Sequence, residues 1–130
     1  MDGEDEEGGV TAFMACAGAG EKELCELLVG KGADPAAKRK DGATALHIAA
    51  GRGLILVCEY LIESCGLGID AIATNPQGYL VTPLFNASLG GHTELCGYLL
   101  EKGAIVDSGY QPLMIAAQVS CFYLMTLEWP

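Results

Sequence analysis

An internal repeat is the feature that most constrains this chain, because self-similarity at a fixed period restricts a fold to stacked units. Three segments align as TAFMACAGAGEKELCELLVGKGA, TALHIAAGRGLILVCEYLIESCG and TPLFNASLGGHTELCGYLLEKGA, and a shorter fourth reads QPLMIAAQVSCFYL. They begin at Thr11, Thr44, Thr82 and Gln111, so the second interval is longer than the first and the third is shorter. The sequence therefore predicts a stack of similar units whose lengths become irregular after the first.

Each unit predicts two short helices joined by a glycine turn. A threonine stands where the first helix begins, since its hydroxyl accepts hydrogen bonds from free backbone N–H groups. Glycines that permit a positive φ mark the turn and the end of the second helix; they are Gly20, Gly53 and Gly91, then Gly32, Gly66 and Gly103. Apolar residues in the second helix recur at the spacing of one buried face; the equivalent sets are Leu24, Val57 and Leu95, then Leu28, Leu61 and Leu99.

These positions together resemble the ankyrin repeat, and the interval from Thr11 to Thr44 agrees with its period of about 33 residues. The pattern G-x-T-P-L-H-x-A-A…G-H…LL…G-A runs through roughly residues 9–119, and Thr82-Pro83-Leu84 lies close to it. The resemblance implies an all-α, ankyrin-repeat solenoid of helix–turn–helix units with projecting fingers, about three full repeats plus a partial fourth. The predicted units lie near residues 9–41, 42–79, 80–108 and 109–119. The long link after Ile62, with CEYLIESCGLGIDA, more faintly resembles plant proteins that join ankyrin repeats to a tetratricopeptide domain.

The two ends of the chain fall outside the pattern. Residues 1–8 carry five acids and no base, and a segment that repels itself and has nothing to bury is expected to be disordered. It lacks the positive start and apolar run of a signal peptide, and no apolar run reaches the ~18–20 residues that span a bilayer. A cytoplasmic or nuclear location is therefore expected. Residues 120–130 form a divergent apolar segment that is a candidate for self-association.

The net charge and the positions of the histidines argue against several classes of function. The formal net charge of −10, with 7 Lys and Arg, argues against nucleic acid and anionic membranes as partners. His47 and His92 fall where the ankyrin pattern has histidine, and the resemblance implies that the first bonds the helix-starting threonine and the second fixes the turn. No nucleophile, base and oxyanion donors converge, so no enzyme activity and no catalytic residue are predicted.

The cysteines indicate packing rather than chemistry. Cys25, Cys58 and Cys96 occupy the same position relative to the threonine of their own unit, and free cysteine behaves as a small hydrophobic residue. A metal site would need ligands clustered as in C-x₂-C, so no metal or cofactor is predicted. Cys65, in the extra loop, is the only cysteine expected to be an exposed thiol.

The binding surface is predicted from positions that the repeat leaves free. The resemblance implies a concave face made by finger tips and inner helices. Tyr and Arg dominate interface energies, by ~2 kcal/mol or more when well buried, so Tyr79, Tyr110 and Arg52 are the expected anchors. Alternatively, Tyr79 and Leu80 pack the enlarged second finger against the stack. The predicted partner-binding residues are Arg39, Lys40, Asp41, Arg52, Gln77, Tyr79, Leu80, Leu89, Tyr110 and Gln118.

Lys38-Arg39-Lys40 is the one basic cluster of the sequence. It fits a solvated loop, a contact for an acidic partner, or a site over which residues 1–8 fold. The predicted function is a non-catalytic protein–protein interaction module that binds another protein through finger tips and inner helices. The alternative is a truncated regulatory or scaffold fragment of a larger ankyrin-containing protein, such as a co-chaperone or a signalling protein.

Overall fold

Helix pairs joined by short turns make up the computed structural model, which describes residues 11–74, 78 and 80–105. The predictions for residues 1–8, 109–119 and 120–130 lie outside this part. The elements in chain order are α1 (Ala12–Gly18), α2 (Lys22–Gly30), α3 (Ala45–Gly51), α4 (Ile55–Glu59), a π-helical segment (Tyr60–Ser64), β1 (Ala73–Thr74), β2 (Leu80–Val81), α5 (Pro83–Leu89) and α6 (Thr93–Glu101). The all-α solenoid of helix pairs is confirmed.

The threonines begin the inner helices α1, α3 and α5, as the sequence predicts. Thr11 Oγ1 accepts from the Met14 N–H at 3.1 Å, and Thr82 Oγ1 accepts from the Phe85 N–H at 3.2 Å. Thr44 uses a capping box with His47, in which the Thr44 N–H donates to His47 Nδ1 at 3.1 Å. The turns after these helices hold glycines at positive φ; they are Gly20 (80°), Gly53 (73°) and Gly91 (71°).

The inner helices pack side by side through small residues. The alanines at this interface have no exposed surface; they are Ala17, Ala49, Ala50 and Ala87. A Cβ atom added at Gly18 would lie 2.9 Å from Cγ2 of Ile48, so α1 and α3 approach too closely for a side chain at that point. Small residues therefore set the spacing of the stack.

The outer layer consists of α2, α4 with the π-helical segment, and α6. Cys25, Cys58 and Cys96 are fully buried in one core cluster, in agreement with a packing column. The prediction of an equivalent buried leucine was wrong for the first unit, because Leu24 is 41% exposed, whereas Val57 and Leu95 are at most 2% exposed. The face of a repeat is buried only by its neighbour, and no described element precedes the first helix pair.

The second unit is longer than the first, and the structure divides this insertion between two places. The glycine that ends the outer helix is one position further from the repeat threonine in the second unit than in the first and third, so one extra residue lies within the outer helix. It is accommodated as a π-helical turn, in which the Cys65 N–H donates to the Tyr60 carbonyl at 3.1 Å. The sequence alone predicts all the extra residues around residues 64–82, so this one lies earlier than expected. The rest of the insertion enlarges the second finger.

The first and second fingers are joined by a backbone hydrogen bond. In the second finger β1 pairs antiparallel with β2, with Ala73 opposite Val81 and Thr74 opposite Leu80. The Thr74 N–H also donates to the Asp41 carbonyl of the first finger at 2.8 Å. Ala73, Val81 and Phe85 form a small core beneath the fingers with Ala43. The fingers therefore form a continuous edge along one side of the helices.

Two side chains cross the repeat boundaries to reach the last carbonyl of an inner helix. Arg52 Nη1 donates to the Gly18 carbonyl at 2.8 Å, and His92 Nε2 lies 3.0 Å from the Gly51 carbonyl. Gly18 and Gly51 end α1 and α3, where carbonyls have no partner within the helix. An alanine at Gly90 would collide with the His92 ring and place its Cβ atom 3.2 Å from the Gly51 carbonyl. The position of the His92 ring, and with it the contact with Gly51, thus depends on the absence of a side chain at position 90.

Replacing Gly90 by alanine is expected to lower the free energy of unfolding by about 1–2 kcal/mol, because the new methyl group displaces His92. In a His92→Ala background the same change is expected to cost less than about 0.5 kcal/mol, since the ring is already absent. Urea unfolding of the four chains of this double-mutant cycle measures the difference. An equal loss of unfolding free energy in both backgrounds would contradict a clash between residue 90 and the His92 ring.

Candidate protein-binding groove

A groove of about 360 Å³ lies between the joined fingers and the inner helices. Its lining comes from the two fingers and from α3 and α5; the residues are Arg39, Asp41, Ala43, His47, Ile48, Gly51, Arg52, Ala73, Thr74, Val81 and Asn86. A second hollow of about 330 Å³ adjoins it over α1, and the two share Arg39, Ile48 and Arg52. The surface therefore extends across all three inner helices.

Arg52 stands at the junction of the two hollows. Its side chain is anchored by the hydrogen bond to the Gly18 carbonyl, yet the residue is exposed. Among the described residues the other guanidinium N–H groups have no hydrogen-bond partner. A fixed guanidinium with free donors is well suited to bind a carboxylate or a carbonyl group of another molecule.

Arg39 and Asp41 form the wall of the groove at the first finger. Arg39 Nη2 lies 2.6 Å from Asp41 Oδ2, and Arg39 Nε lies 3.3 Å from Oδ1 of the same carboxylate. The hydrogen bond from Arg39 holds the pKa of Asp41 below its ordinary value, and the Ala43 N–H adds to this effect. The pair fixes the shape of the finger tip, since both side chains are bound to each other.

The predicted binding residues fall into three groups. Arg39, Asp41 and Arg52 line the groove. Lys40 is exposed at the finger tip, and Leu80 and Leu89 are 39% and 59% exposed, but these three do not line it. The predictions for Gln77, Tyr79, Tyr110 and Gln118 lie outside the described residues.

Sequence reasoning missed Ile48 and Asn86, which line the groove on α3 and α5. Both occupy the same position relative to their repeat threonine, where the first unit has Ala15 of the adjoining hollow. Asn86 Nδ2 donates to the His47 carbonyl at 3.3 Å, so it also links α5 to α3. The signal was available as one equivalent position that holds a different residue type in each unit.

His47 supports the floor of the groove as a neutral imidazole. Its Nδ1 accepts from the Thr44 N–H, so its Nε2 carries the proton and donates to the Ala71 carbonyl at 2.9 Å. Burial lowers the pKa of His47 below its ordinary value, against the opposing effect of the carbonyls of Ala71 and Val81. The residue therefore joins a helix start to the second finger only while it is uncharged.

Stability is expected to fall as the pH decreases below about 6.5, the usual histidine pKa of the unfolded chain. The pKa of folded His47 is lower, so the unfolded chain binds the proton first and protonation favours unfolding. Urea denaturation at pH 7.5 and pH 5.5 measures the difference. His47→Gln keeps an acceptor at the third helical position and should reduce the pH dependence; an unchanged dependence would assign it to other groups.

The described cysteines are free thiols of two kinds. Cys25, Cys58 and Cys96 are buried, whereas Cys16 and Cys65 are half-buried. Burial raises the pKa of Cys25 to about 11 and that of Cys58 to about 12. The prediction that Cys65 would be the only exposed thiol was wrong, because Cys65 is half-buried, as is Cys16 on α1.

Iodoacetamide at neutral pH is expected to alkylate Cys16 and Cys65 well before Cys25 and Cys58. The buried pair is shielded and forms little of the thiolate that reacts. Peptide mapping by mass spectrometry gives the rate at each position, and the chain in denaturant supplies the reference in which all sites react. If Cys58 in the folded chain were labelled as fast as Cys65, the buried cysteines would be accessible to solvent and the prediction would be wrong.

The described residues contain neither a candidate metal cluster nor a candidate membrane-spanning helix. No group of three or more His, Cys, Asp or Glu side chains there is arranged to hold a metal ion. Within the same residues no helix has the length and apolar character needed to cross a membrane.

The stacked helix pairs, joined fingers and side groove define the class of helical repeat solenoids. The chain belongs to the ankyrin-repeat family, since the family model for ankyrin repeats (3 copies) matches residues 1–75. The helix pair α5–α6 lies beyond that match and repeats the same architecture. The finer resemblance to plant proteins with a tetratricopeptide domain stays a prediction.

Two curated proteins are similar in sequence to part of this chain. The chain is 38% identical over 82 residues to the 26S proteasome non-ATPase regulatory subunit 10 of Dictyostelium discoideum, which covers 63% of this chain and 34% of that protein. It is 32% identical over 94 residues to the protein fem-1 homolog A-like of Mus musculus, covering 72% of this chain and 14% of that protein. The chain thus spans about a third or less of these relatives.

Proposed function

We propose that this chain is a non-catalytic protein-interaction module that binds a partner protein along the groove between its fingers and inner helices. Ankyrin repeats are generally protein-interaction modules. The observation that carries the proposal is the composition of the groove: the side chains of Arg39, Ile48, Arg52 and Asn86 come from three successive units and occupy positions that the repeat pattern does not fix. Variable side chains on a fixed scaffold are the means by which repeat solenoids recognise partners.

The absence of catalysis is supported by the roles of the two histidines. His47 uses both ring nitrogens for contacts with Thr44 and Ala71, and His92 Nε2 contacts the Gly51 carbonyl. A histidine that serves as a general base must instead reach a nucleophile or substrate. We also propose a cytoplasmic or nuclear location, a reducing setting that suits the free thiols of the described cysteines.

The alternative is a regulatory or scaffold part of a larger ankyrin-containing protein. The name of the Dictyostelium relative, a regulatory subunit of the 26S proteasome, favours it. The same groove would serve in both cases, because binding to a partner in another chain or in the same chain uses the same contacts. The two functions differ in whether the bound segment belongs to a separate protein or to another part of the same chain.

Leu89 does not line the groove, but it lies on α5 three residues after the lining residue Asn86 and therefore beside the groove. A photo-crosslinking amino acid at Leu89 is expected to capture a partner in cells, whereas one at Leu56 is expected to capture little. The two leucines form a matched pair, 59% and 65% exposed, on an inner and an outer helix respectively. Lys40 and Lys31 form a second pair, at a finger tip and at the end of α2. Mass spectrometry identifies the adducts. Adducts concentrated at Leu56 and Lys31 would move the binding surface to the outer helices and contradict the proposal.

A further inference from the structure

Charge is distributed unequally between the two layers of helices. The described outer helices carry one cation, Lys22, and six glutamates; the glutamates are Glu23, Glu26, Glu59, Glu63, Glu94 and Glu101. The inner helices α1, α3 and α5 contain no Asp or Glu. In a chain whose net charge is −10, the described concave side is therefore the side that repels an acidic molecule least.

Four of the seven cationic residues of the chain lie at this concave side or at its finger tip. They are Lys38, Arg39, Lys40 and Arg52. Arg39 is neutralised by Asp41, which is the only carboxylate that lines the groove within the described residues. Arg52, Lys38 and Lys40 form no ion pair there and keep their charge available.

The shape of the surface suits an extended chain. The two hollows that share Arg52 run from Ala15 on α1 past Ile48 on α3 to Asn86 on α5. Neighbouring helices in proteins lie about 8–10 Å apart, so this path measures roughly 16–20 Å. An extended chain advances about 3.3 Å per residue, and five or six residues would span it. The floor is small or apolar at Gly18, Gly51 and Ile48, and Arg52 supplies the free charged donor at its middle.

We propose that the groove binds an extended acidic segment of a partner protein, with Arg52 paired to a carboxylate at the centre and Lys38 and Lys40 attracting the segment at the finger tip. This inference rests on the proposed function and specifies its partner class. The charge complementarity favours this occupant over an apolar helix, because the free donors of Arg52 would otherwise lose water without a partner. Residues 1–8 of this chain, with five acids, are a competing occupant that the experiment separates.

The test uses fluorescence anisotropy with the full chain and a labelled peptide of about eight residues that alternates Glu with Ala. The control peptide alternates Gln with Ala. Tighter binding of the Glu peptide is expected, with a marked loss of affinity when NaCl rises from about 50 to about 200 mM. Arg52→Gln is expected to weaken the Glu peptide about tenfold, whereas Lys31→Gln, at the end of α2, should leave its affinity within about twofold.

Two further variants separate binding from folding and from competition by residues 1–8. The double variant Lys38→Gln, Lys40→Gln removes no hydrogen bond among the described residues, so a loss of affinity in this variant would not reflect misfolding. Arg52→Gln loses the contact with the Gly18 carbonyl, so its fold is checked by circular dichroism. A full chain with D2N, E4Q, D5N, E6Q and E7Q tests the competing occupant. Binding of the Glu peptide by this chain alone would assign the groove to residues 1–8 and overturn the partner segment.

The remaining outcomes separate this inference from the proposed function. Equal binding of the Glu and Gln peptides, with adducts still formed at Leu89 in cells, would overturn the acidic partner and leave the groove as the binding surface. Equal losses in Arg52→Gln and Lys31→Gln would also overturn it, since attraction to any cation would then suffice. Adducts only at Leu56 would overturn the groove itself.

Discussion

The burial of each helix pair by its neighbour is the interaction on which the rest of this structure depends. The short inner helices α1, α3 and α5 would not be stable alone, so their stability comes from packing. Ala17, Ala49 and Ala87 bring these helices together, and the buried thiols of Cys25, Cys58 and Cys96 fill the layer behind them. Leu24 shows the same rule at the first pair, where a leucine that would be buried inside the stack is exposed.

The groove follows from the same stacking. Inner helices that approach closely leave no room for a side chain at Gly18, and the groove is lined by small residues such as Ala43, Gly51 and Ala73. Arg52 and His92 use the carbonyls of Gly18 and Gly51 to connect neighbouring pairs. In the case of Arg52, a contact between neighbouring helix pairs also fixes a charged donor in the groove, so the proposed binding uses a residue that also connects the stack.

Much of the fold was predictable because the repeat threonines, glycines and cysteines each answer a local requirement that recurs at every unit. The threonine caps, the positive-φ glycines and the role of His47 were confirmed. The groove was predicted only in part. Arg39, Asp41 and Arg52 were expected, whereas Ile48 and Asn86 were missed, because a residue that lines a surface between two helices carries no signature within its own helix.

The sequence by itself determined the number and order of the described helix pairs, where each begins and turns, and which small residues face a neighbour. The helix starts and turns depend on local backbone conformation, and the small residues that face a neighbour recur at the same positions in each unit. Only the tertiary structure decided that the extra residue of the second unit forms a π-helical turn at Tyr60–Ser64, and that Arg52 is anchored at Gly18 while Arg39 is bound to Asp41. For the Arg52 contact, the physical reason is that it depends on how one unit sits against the next, and that distance is set by the packing of the whole stack. The π-helical turn and the Arg39–Asp41 pair lie within single units, but they involve residues that the repeat pattern does not fix.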